Sequence, residues 1–421
     1  MFKRALVSVS DKTGLAEALK PLVAQGLEVV SSGGTSAYLK SNGIKVTDVS
    51  DVTGFPEVLG GRVKTLHPKV HMGLLALTDD SNHQADLKKH DVQVFDLMIC
   101  NLYAFEETVK STEDLAERIE HIDIGGVTLL RAAAKNFQRI TVVSDPSDYG
   151  MLREGSVSEE QRRELAVKAF LHTSNYDMQI AQALTQKNSL RYGENPHQKS
   201  LWLPRGKSGF QEARIHQGKE LSYNNLLDLD AATRLVKTLK KNAAVIVKHN
   251  NPCGVGQADQ GYEAFKKAFE SDSISSFGGI VAVNFTIDKK TAELMTSFFL
   301  ECVLAPQISA EALEVFKTKK NLRILEWAGM LKHHEEKDIR SIAGGFLVQD
   351  QDQVPLQKES WKVYLPERIG SESDLTKQDL EDIEFGISVV ASLKSNAIAV
   401  VKNGTTLGLG MGQVNRVDSV K

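Results

Sequence analysis

A chain of 421 residues, 41% apolar and 25% charged, is long enough for roughly two or three domains, each with its own core. Its net charge of −3 argues against a protein held to nucleic acid by phosphate-backbone contacts, so no nucleic-acid partner is expected. Cys100, Cys253 and Cys302 are widely spaced and form no CxxC pair, which excludes a disulfide framework and fits a reducing cytoplasm.

Taken in chain order, the apolar run of MFKRALVSVSDKTG meets Asp11 too early for a signal peptide. ALVSVS (5–10) reads as a buried strand. Asp11 is placed to cap a helix whose Leu15, Ala18, Leu19, Leu22 and Val23 share one face as far as Gly26. LEVVSS (27–32) is the next strand, followed by a glycine pair and a short helix ending at Asn42-Gly43. IKVTDVS, FDLMICNLY and RITVVS read as further strands, with helices around 112–121 and 126–137. This alternation predicts a mostly parallel sheet with helices on both faces. A long helix runs from about Ser158 to about Lys187, opened by the capping box SEEQ.

Gly193 and Pro196 in KNSLRYGENPHQ break that helix, so a boundary is expected near 188–200, with domains at 1–188 and 189–421. AAVIVKH (243–249), GGIVAVN, ECVLAPQI and NLRILEW suggest strands of a second α/β unit. The polar stretch 350–374 reads as an excursion or linker. After a helix at 376–395, NAIAVVKNGTTLGLG predicts a hairpin turning at Asn403-Gly404. No run approaches the ~18 apolar residues of a membrane span, so no membrane partner is expected.

Three glycine pairs stand at or near helix starts: SSGGTS (31–36), GGRVKT (60–65) and DIGGVT (123–128). None fits GxGxxG or GxxxxGK[ST], so neither a dinucleotide nor a P-loop reading is licensed. Each pair alone is also what a tight turn requires. Together with the Ser32 and Thr35 hydroxyls, the Arg62 fork, Lys64 and Lys135, they point to a phosphorylated small molecule. His67 and His71, beside Pro68, read as structural.

SVSDKTG, SSGGT, GFPEVLGGRVKTLHPKVHMG, CNLYAF and IDIGGVTLLRAAAKN, in this order, resemble the inosine monophosphate (IMP) cyclohydrolase half of the bifunctional purine biosynthesis family. LRYGENPHQ, GKELSYNNLLDLDAA, VKHNNPCGVG, SSFGGIVAVN and SNAIAVVKNG resemble its other half, the aminoimidazole carboxamide ribonucleotide (AICAR) formyltransferase. The resemblance implies an α/β protein: a methylglyoxal-synthase-like parallel-sheet domain, then a cytidine-deaminase-like formyltransferase region. It implies formyl transfer from the co-substrate 10-formyltetrahydrofolate to AICAR, giving FAICAR, then dehydrative closure of FAICAR to IMP. A cytoplasmic homodimer is the expected form.

Ring closure makes a weakly nucleophilic carboxamide nitrogen attack a formamide carbon, so the site must stabilise an oxyanion and move protons. By resemblance Lys64 serves the oxyanion, while Lys135 and Tyr103 serve proton movement. Asp123 accepts a proton or orients the amide; the alternative is that it only caps the helix ahead of Gly125. The same resemblance lines the nucleotide with Ser10, Asp11, Lys12, Ser32, Gly33, Gly34, Thr35, Arg62, Val63, Thr65, Cys100, Asn101 and Ile124.

For formyl transfer it makes His249 the proton acceptor and Lys248 the stabiliser of the transition state. An unperturbed imidazole titrates near ~6.5, which suits a base. Outside the surrounding match the two would read as an ordinary strand-end pair. Arg191, Tyr192, Gly278, Asn396 and Arg416 would hold AICAR, with Glu301 reaching across a dimer interface. Cys253 lacks a second cysteine at the deaminase spacing and no HxE accompanies it, so no catalytic metal is expected.

The chain stops at GMGQVNRVDSVK, where Val414, Val417 and Val420 begin an apolar stripe. Members of the family continue with a DAFFPF-like stretch and a histidine-bearing C-terminus. The expectation is therefore a complete cyclohydrolase and an incomplete formyltransferase. The alternative is a nucleotide-binding, monofunctional cyclohydrolase whose C-terminal half is a dimerisation scaffold.

Overall fold

The apolar runs of the first 145 residues become a five-stranded parallel sheet. The computed structural model describes residues 1–185, 189–204, 206, 208–334, 337–353 and 375–421. It divides into two units, Met1–Gln186 and Lys187–Lys421.

The first unit runs β1 (Arg4–Val9), α1 (Leu15–Ala24), β2 (Glu28–Ser31), α2 (Gly33–Ser41), β3 (Val46–Asp48), α3 (Val49–Thr53), α4 (Pro68–Leu75) and α5 (Ser81–Lys89). It continues through β4 (Leu97–Asn101), α6 (Phe105–Ser111), α7 (Leu115–Glu120), α8 (Gly125–Lys135), β5 (Thr141–Val143) and α9 (Glu159–Leu184). Sheet order is β3-β2-β1-β4-β5, every neighbour parallel. Leu6, Val7, Leu97, Met98 and Ile99 are buried because helices cover both faces, which is why these strands read as continuous apolar runs. The chain winds outward from β1 to β3, then returns to the far side of β1 as β4. That reversal opens a crevice at the carboxyl ends of β1 and β4.

Three local expectations change. Asp11 does not cap α1: the helix starts after Gly14 at φ 68°, and Asp11 Oδ1 accepts from Thr13 N–H at 2.9 Å. A short carboxylate bonding two residues ahead makes a turn in place of a cap. IKVTDVS supplies only three strand residues before α3. The helix expected at 112–121 is shorter, α7 running only Leu115–Glu120 behind its cap Asp114, while a separate helix, α6, precedes it at Phe105–Ser111. The Ser158–Gln161 capping box opens α9, which ends at Leu184.

The second unit contains β6 (Ser189–Leu190), β7 (Ser200–Leu201), β8 (Arg214–Gln217), α10 (Tyr223–Val236), β9 (Asn242–Lys248), β10 (Asn251–Ala258) and α11 (Gly261–Ser271). Next come β11 (Gly279–Val283), β12 (Thr286–Ile287), α12 (Lys289–Thr296), β13 (Leu300–Ala305), β14 (Gln307–Ile308), α13 (Ala310–Phe316) and β15 (Arg323–Glu326). A hairpin of β16 (Lys337–Ile342) and β17 (Gly345–Asp350), then α14 (Lys377–Ala391), β18 (Ile398–Lys402) and β19 (Thr405–Gly410) complete it.

The main sheet, β18-β19-β10-β9-β11-β13-β15-β8, is mixed, with parallel pairing confined to β11, β13 and β15. β10 was not foreseen, since NPCGVGQA carries breaker residues. Its Gly254 lies where an added Cβ would meet Ala268 O of α11, so the helix backbone packs directly on the strand. The β18–β19 turn is the expected one, with Asn403 and Gly404 at φ 52° and 65°. Residues 354–374, most of the expected linker, lie outside the described residues. Val414, Val417 and Val420 are 95%, 63% and 69% exposed in a stretch of bends and turns, so their spacing of three marks no helix face. Among the described residues no helix is long and apolar enough to cross a membrane.

Candidate active sites

The crevice between β1 and β4 is a cavity of about 550 Å³. It gathers Ser10, Lys12, Ser32, Gly34, Thr35, Arg62, Lys64, Thr65, Asn101, Tyr103, Asp123 and Ile124 from loops far apart in sequence. Asn101, ending β4, ties the two central strands together. Its Oδ1 accepts from Ser10 N–H at 2.7 Å and Asp11 N–H at 2.9 Å, and its Nδ2 donates to Asp11 O at 2.9 Å. Lys12 Nζ donates to Ser10 O at 3.1 Å, closing the same loop.

Asp123 caps the start of α8 and also lines the cavity. Its Oδ1 accepts from Gly126 N–H at 2.7 Å, and its own N–H donates to Tyr176 Oη at 2.8 Å. Gly126 is required here: an added Cβ would stand 2.6 Å from Asp123 Oδ2. Burial raises the Asp123 pKa, opposed by the Gly126 and Tyr103 amides and by the Lys64 charge. Burial, and then the Asp123 charge, raise the Tyr103 phenol. Lys64 Nζ lies 4.0 Å from Glu57 Oε2.

Several expected residues play different parts. The Thr35 hydroxyl is spent on β1, accepting from Val9 N–H at 3.1 Å and donating to Val9 O at 3.0 Å. Arg62 is paired with Glu120, another residue of the cavity, with Nε to Oε1 at 3.3 Å. Sequence spacing could not show this pair, whose members are 58 residues apart. Asp11, Gly33, Val63 and Cys100 do not line the cavity. Cys100 is buried beneath it, its Sγ 3.8 Å from Gly126 O, and burial raises its pKa. Lys135 is exposed at the far end of α8, roughly 15 Å along the axis from Gly125 at 1.5 Å per residue. This chain does not bring it to the cavity. His67 is structural as read: its Nδ1 accepts from Lys69 N–H at 3.2 Å and caps α4. His71 is half-buried, and that burial lowers its pKa.

In the second unit Lys248 ends β9 and His249 begins the turn into β10. Both residues line two cavities. One, about 320 Å³, also holds Arg191, Tyr192, Gly278 and Glu301. The other, about 580 Å³, is walled by Pro252, Cys253, Ile274, Leu407, Leu409 and Met411. Lys248 Nζ donates to Phe277 O at 2.9 Å.

Glu301 lines the smaller cavity, where its Oε2 accepts from Arg323 Nη1 at 2.5 Å. Asn396 and Arg416 line neither cavity; Asn396 Nδ2 donates to Gln413 O at 3.0 Å, and Arg416 is exposed. Asp228 and Arg323, both buried in the smaller cavity, were not foreseen. Their one sequence signal was a charged residue inside an otherwise apolar pattern.

A family model described as the AICARFT/IMPCHase bienzyme matches residues 133–421, and one described as an MGS-like domain matches residues 14–128. The bifunctional purine biosynthesis protein PurH of Thermoanaerobacter sp. (strain X514) is 46% identical over 443 residues, spanning 99% of this chain and 85% of that protein. PurH of Bacillus subtilis (strain 168) is 46% identical over 446 residues, spanning 100% of this chain and 86% of that protein. PurH of Bacillus cytotoxicus is 44% identical over 450 residues, with the same coverage. With an MGS-like unit ahead of the bienzyme match and relatives of this identity along its whole length, the chain belongs to the AICARFT/IMPCHase bienzyme family.

Proposed function

We propose that each unit carries one of two successive reactions: formyl transfer to AICAR in the second, and closure of FAICAR to IMP in the first. One observation supports this division most. Each unit has its own cavity with an acid–base group beside a cation, Asp123 near Lys64 in one and His249 next to Lys248 in the other.

For ring closure, the 5′-phosphate sits at the α2 start, against Ser32 and the Gly34 amide, where the helix dipole favours an anion. It draws Arg62 from Glu120. Asp123 takes the carboxamide proton as nitrogen attacks the formyl carbon; its raised pKa makes it a stronger base than an exposed carboxylate. Lys64 stabilises the oxyanion, and Tyr103 donates toward the departing water.

For formyl transfer, AICAR occupies the smaller, charged cavity, and 10-formyltetrahydrofolate approaches through the larger, more apolar one. His249 removes the proton of the attacking amine while Lys248 meets the oxyanion on the formyl carbon. No metal takes part in either step of this reading. A cytoplasmic homodimer without a nucleic-acid partner completes the proposal, on the strength of the family and three free cysteines. The scaffold alternative is not favoured, because the Lys248–His249 turn is built between two cavities and the relatives are named bifunctional.

Two variants assayed for both reactions test the division. Lys64→Ala should lower kcat for FAICAR closure about 10²–10³-fold with little change in KM, because oxyanion stabilisation acts in the transition state. Formyl transfer should be unchanged. His249→Ala should do the reverse. A variant that loses both activities while folded would defeat the assignment.

A further inference from the structure

β9 and β10 are joined by only two residues, His249 and Asn250, with Lys248 paired to Asn251 across the turn. Both turn residues have left-handed backbone, φ 55° and 62°. Positive φ at both positions is what the type I′ form of a two-residue hairpin requires, and Asn-Gly is the usual sequence that meets it. Here the first position is a histidine, whose Cβ and ring make that region uncommon. Such a conformation persists only where surrounding structure holds it.

The holding group is on α10. Asp228 is 9% exposed, and its Oδ1 accepts from Asn250 N–H at 2.6 Å. With the Asn250 amide assigned from its surroundings, in the orientation that satisfies both its oxygen and its nitrogen, the nitrogen donates to Leu227 O at 3.2 Å and to Asp228 Oδ1 at 3.3 Å. Burial raises the Asp228 pKa, and the Asn250 and His249 backbone N–H groups pull it back. The buried carboxylate thus has the turn's own amides as partners. α10 itself is fixed at its start by the Ser222–Asn225 capping box.

We propose that Asp228 is a positioning residue for formyl transfer. It clamps the His249–Asn250 turn in its left-handed form and so aims the His249 imidazole at the substrate amine. The proposal rests on the reading of His249 as the base. It differs from a direct contact between Asp228 and AICAR, which would act on substrate affinity.

The test is steady-state formyl transfer with AICAR and 10-formyltetrahydrofolate in the full chain, with circular dichroism and thermal melting of each variant as the folding control. Asp228→Ala should lower kcat about 10²-fold, the usual cost of a misplaced reacting group, with the AICAR KM unchanged. Asp228→Asn keeps the acceptor oxygen and should stay within about threefold of wild type, since the neutral bond remains. Should Asp228→Ala fail to fold, Asn250→Val reads the same geometry: a β-branched residue resists positive φ and should lower kcat similarly, whereas Asn250→Gly should not. Wild-type kcat in Asp228→Ala or Asn250→Val, a loss confined to KM, or equal damage from Asp228→Asn and Asp228→Ala would overturn the proposal. A crystal structure of Asp228→Ala separates the two readings: His249 still near φ 55° defeats the clamp. Formyl transfer unimpaired in His249→Ala would instead defeat the role given to His249.

Discussion

The two units place a titratable side chain beside a lysine by opposite means. In the first, Lys64, Tyr103 and Asp123 arrive from separate loops at the carboxyl ends of a parallel sheet, and glycine makes room where they converge. In the second, Lys248 and His249 are chain neighbours on an antiparallel turn, and a non-glycine residue is held in a conformation that glycine would adopt more easily. The first site depends on space and the second on backbone restraint. Substitutions that add or remove a Cβ should therefore act differently in the two.

The largest expected effect breaks the spatial side of this comparison. Gly126→Ala puts a methyl 2.6 Å from Asp123 Oδ2 and must move that carboxylate. FAICAR closure should fall about 10²-fold through misplacement, with formyl transfer intact. Parallel assays of both reactions check this. An unaltered closure rate would show that the cavity tolerates the displacement and that space is not what fixes Asp123.

A smaller effect sharpens the electrostatic difference. Burial lifts the folded-state pKa of Asp123 above its unfolded value, so the folded protein holds that proton more tightly. Ionising the group then costs stability as pH rises through the folded pKa; the cost is complete above it and absent below the unfolded value. Asp123→Asn should thus lose closure activity yet gain thermal stability at neutral pH, a gain that shrinks as the medium is made acidic. Melting curves across pH measure it. A gain independent of pH would assign the effect to packing.

The smallest effect concerns Arg62. Its pair with Glu120 is exposed, and such pairs contribute little. Glu120→Gln should free Arg62 for phosphate and tighten IMP binding about two- to fivefold, less at high salt. Calorimetry at two ionic strengths reads both. Weaker IMP binding would mean that Glu120 orients Arg62 and does not compete with phosphate.

Much of this protein was settled by its sequence. Apolar runs at 5–10 and 95–103, the Ser158–Gln161 box and Asn403-Gly404 act through neighbours a few residues away, and such short-range signals survive without tertiary context. The adjacent Lys248 and His249 were legible for the same reason. Tertiary structure alone decided which long-range groups meet. It spent the Thr35 hydroxyl on Val9, paired Arg62 with Glu120, set Lys135 in the last turn of its helix and placed Glu301 against Arg323. It also set Asp228 under the His249 turn, 22 positions from Asn250 in the chain. Those outcomes follow from strand order and the packing of α10 on the sheet, and neither is encoded in the spacing of the residues that meet.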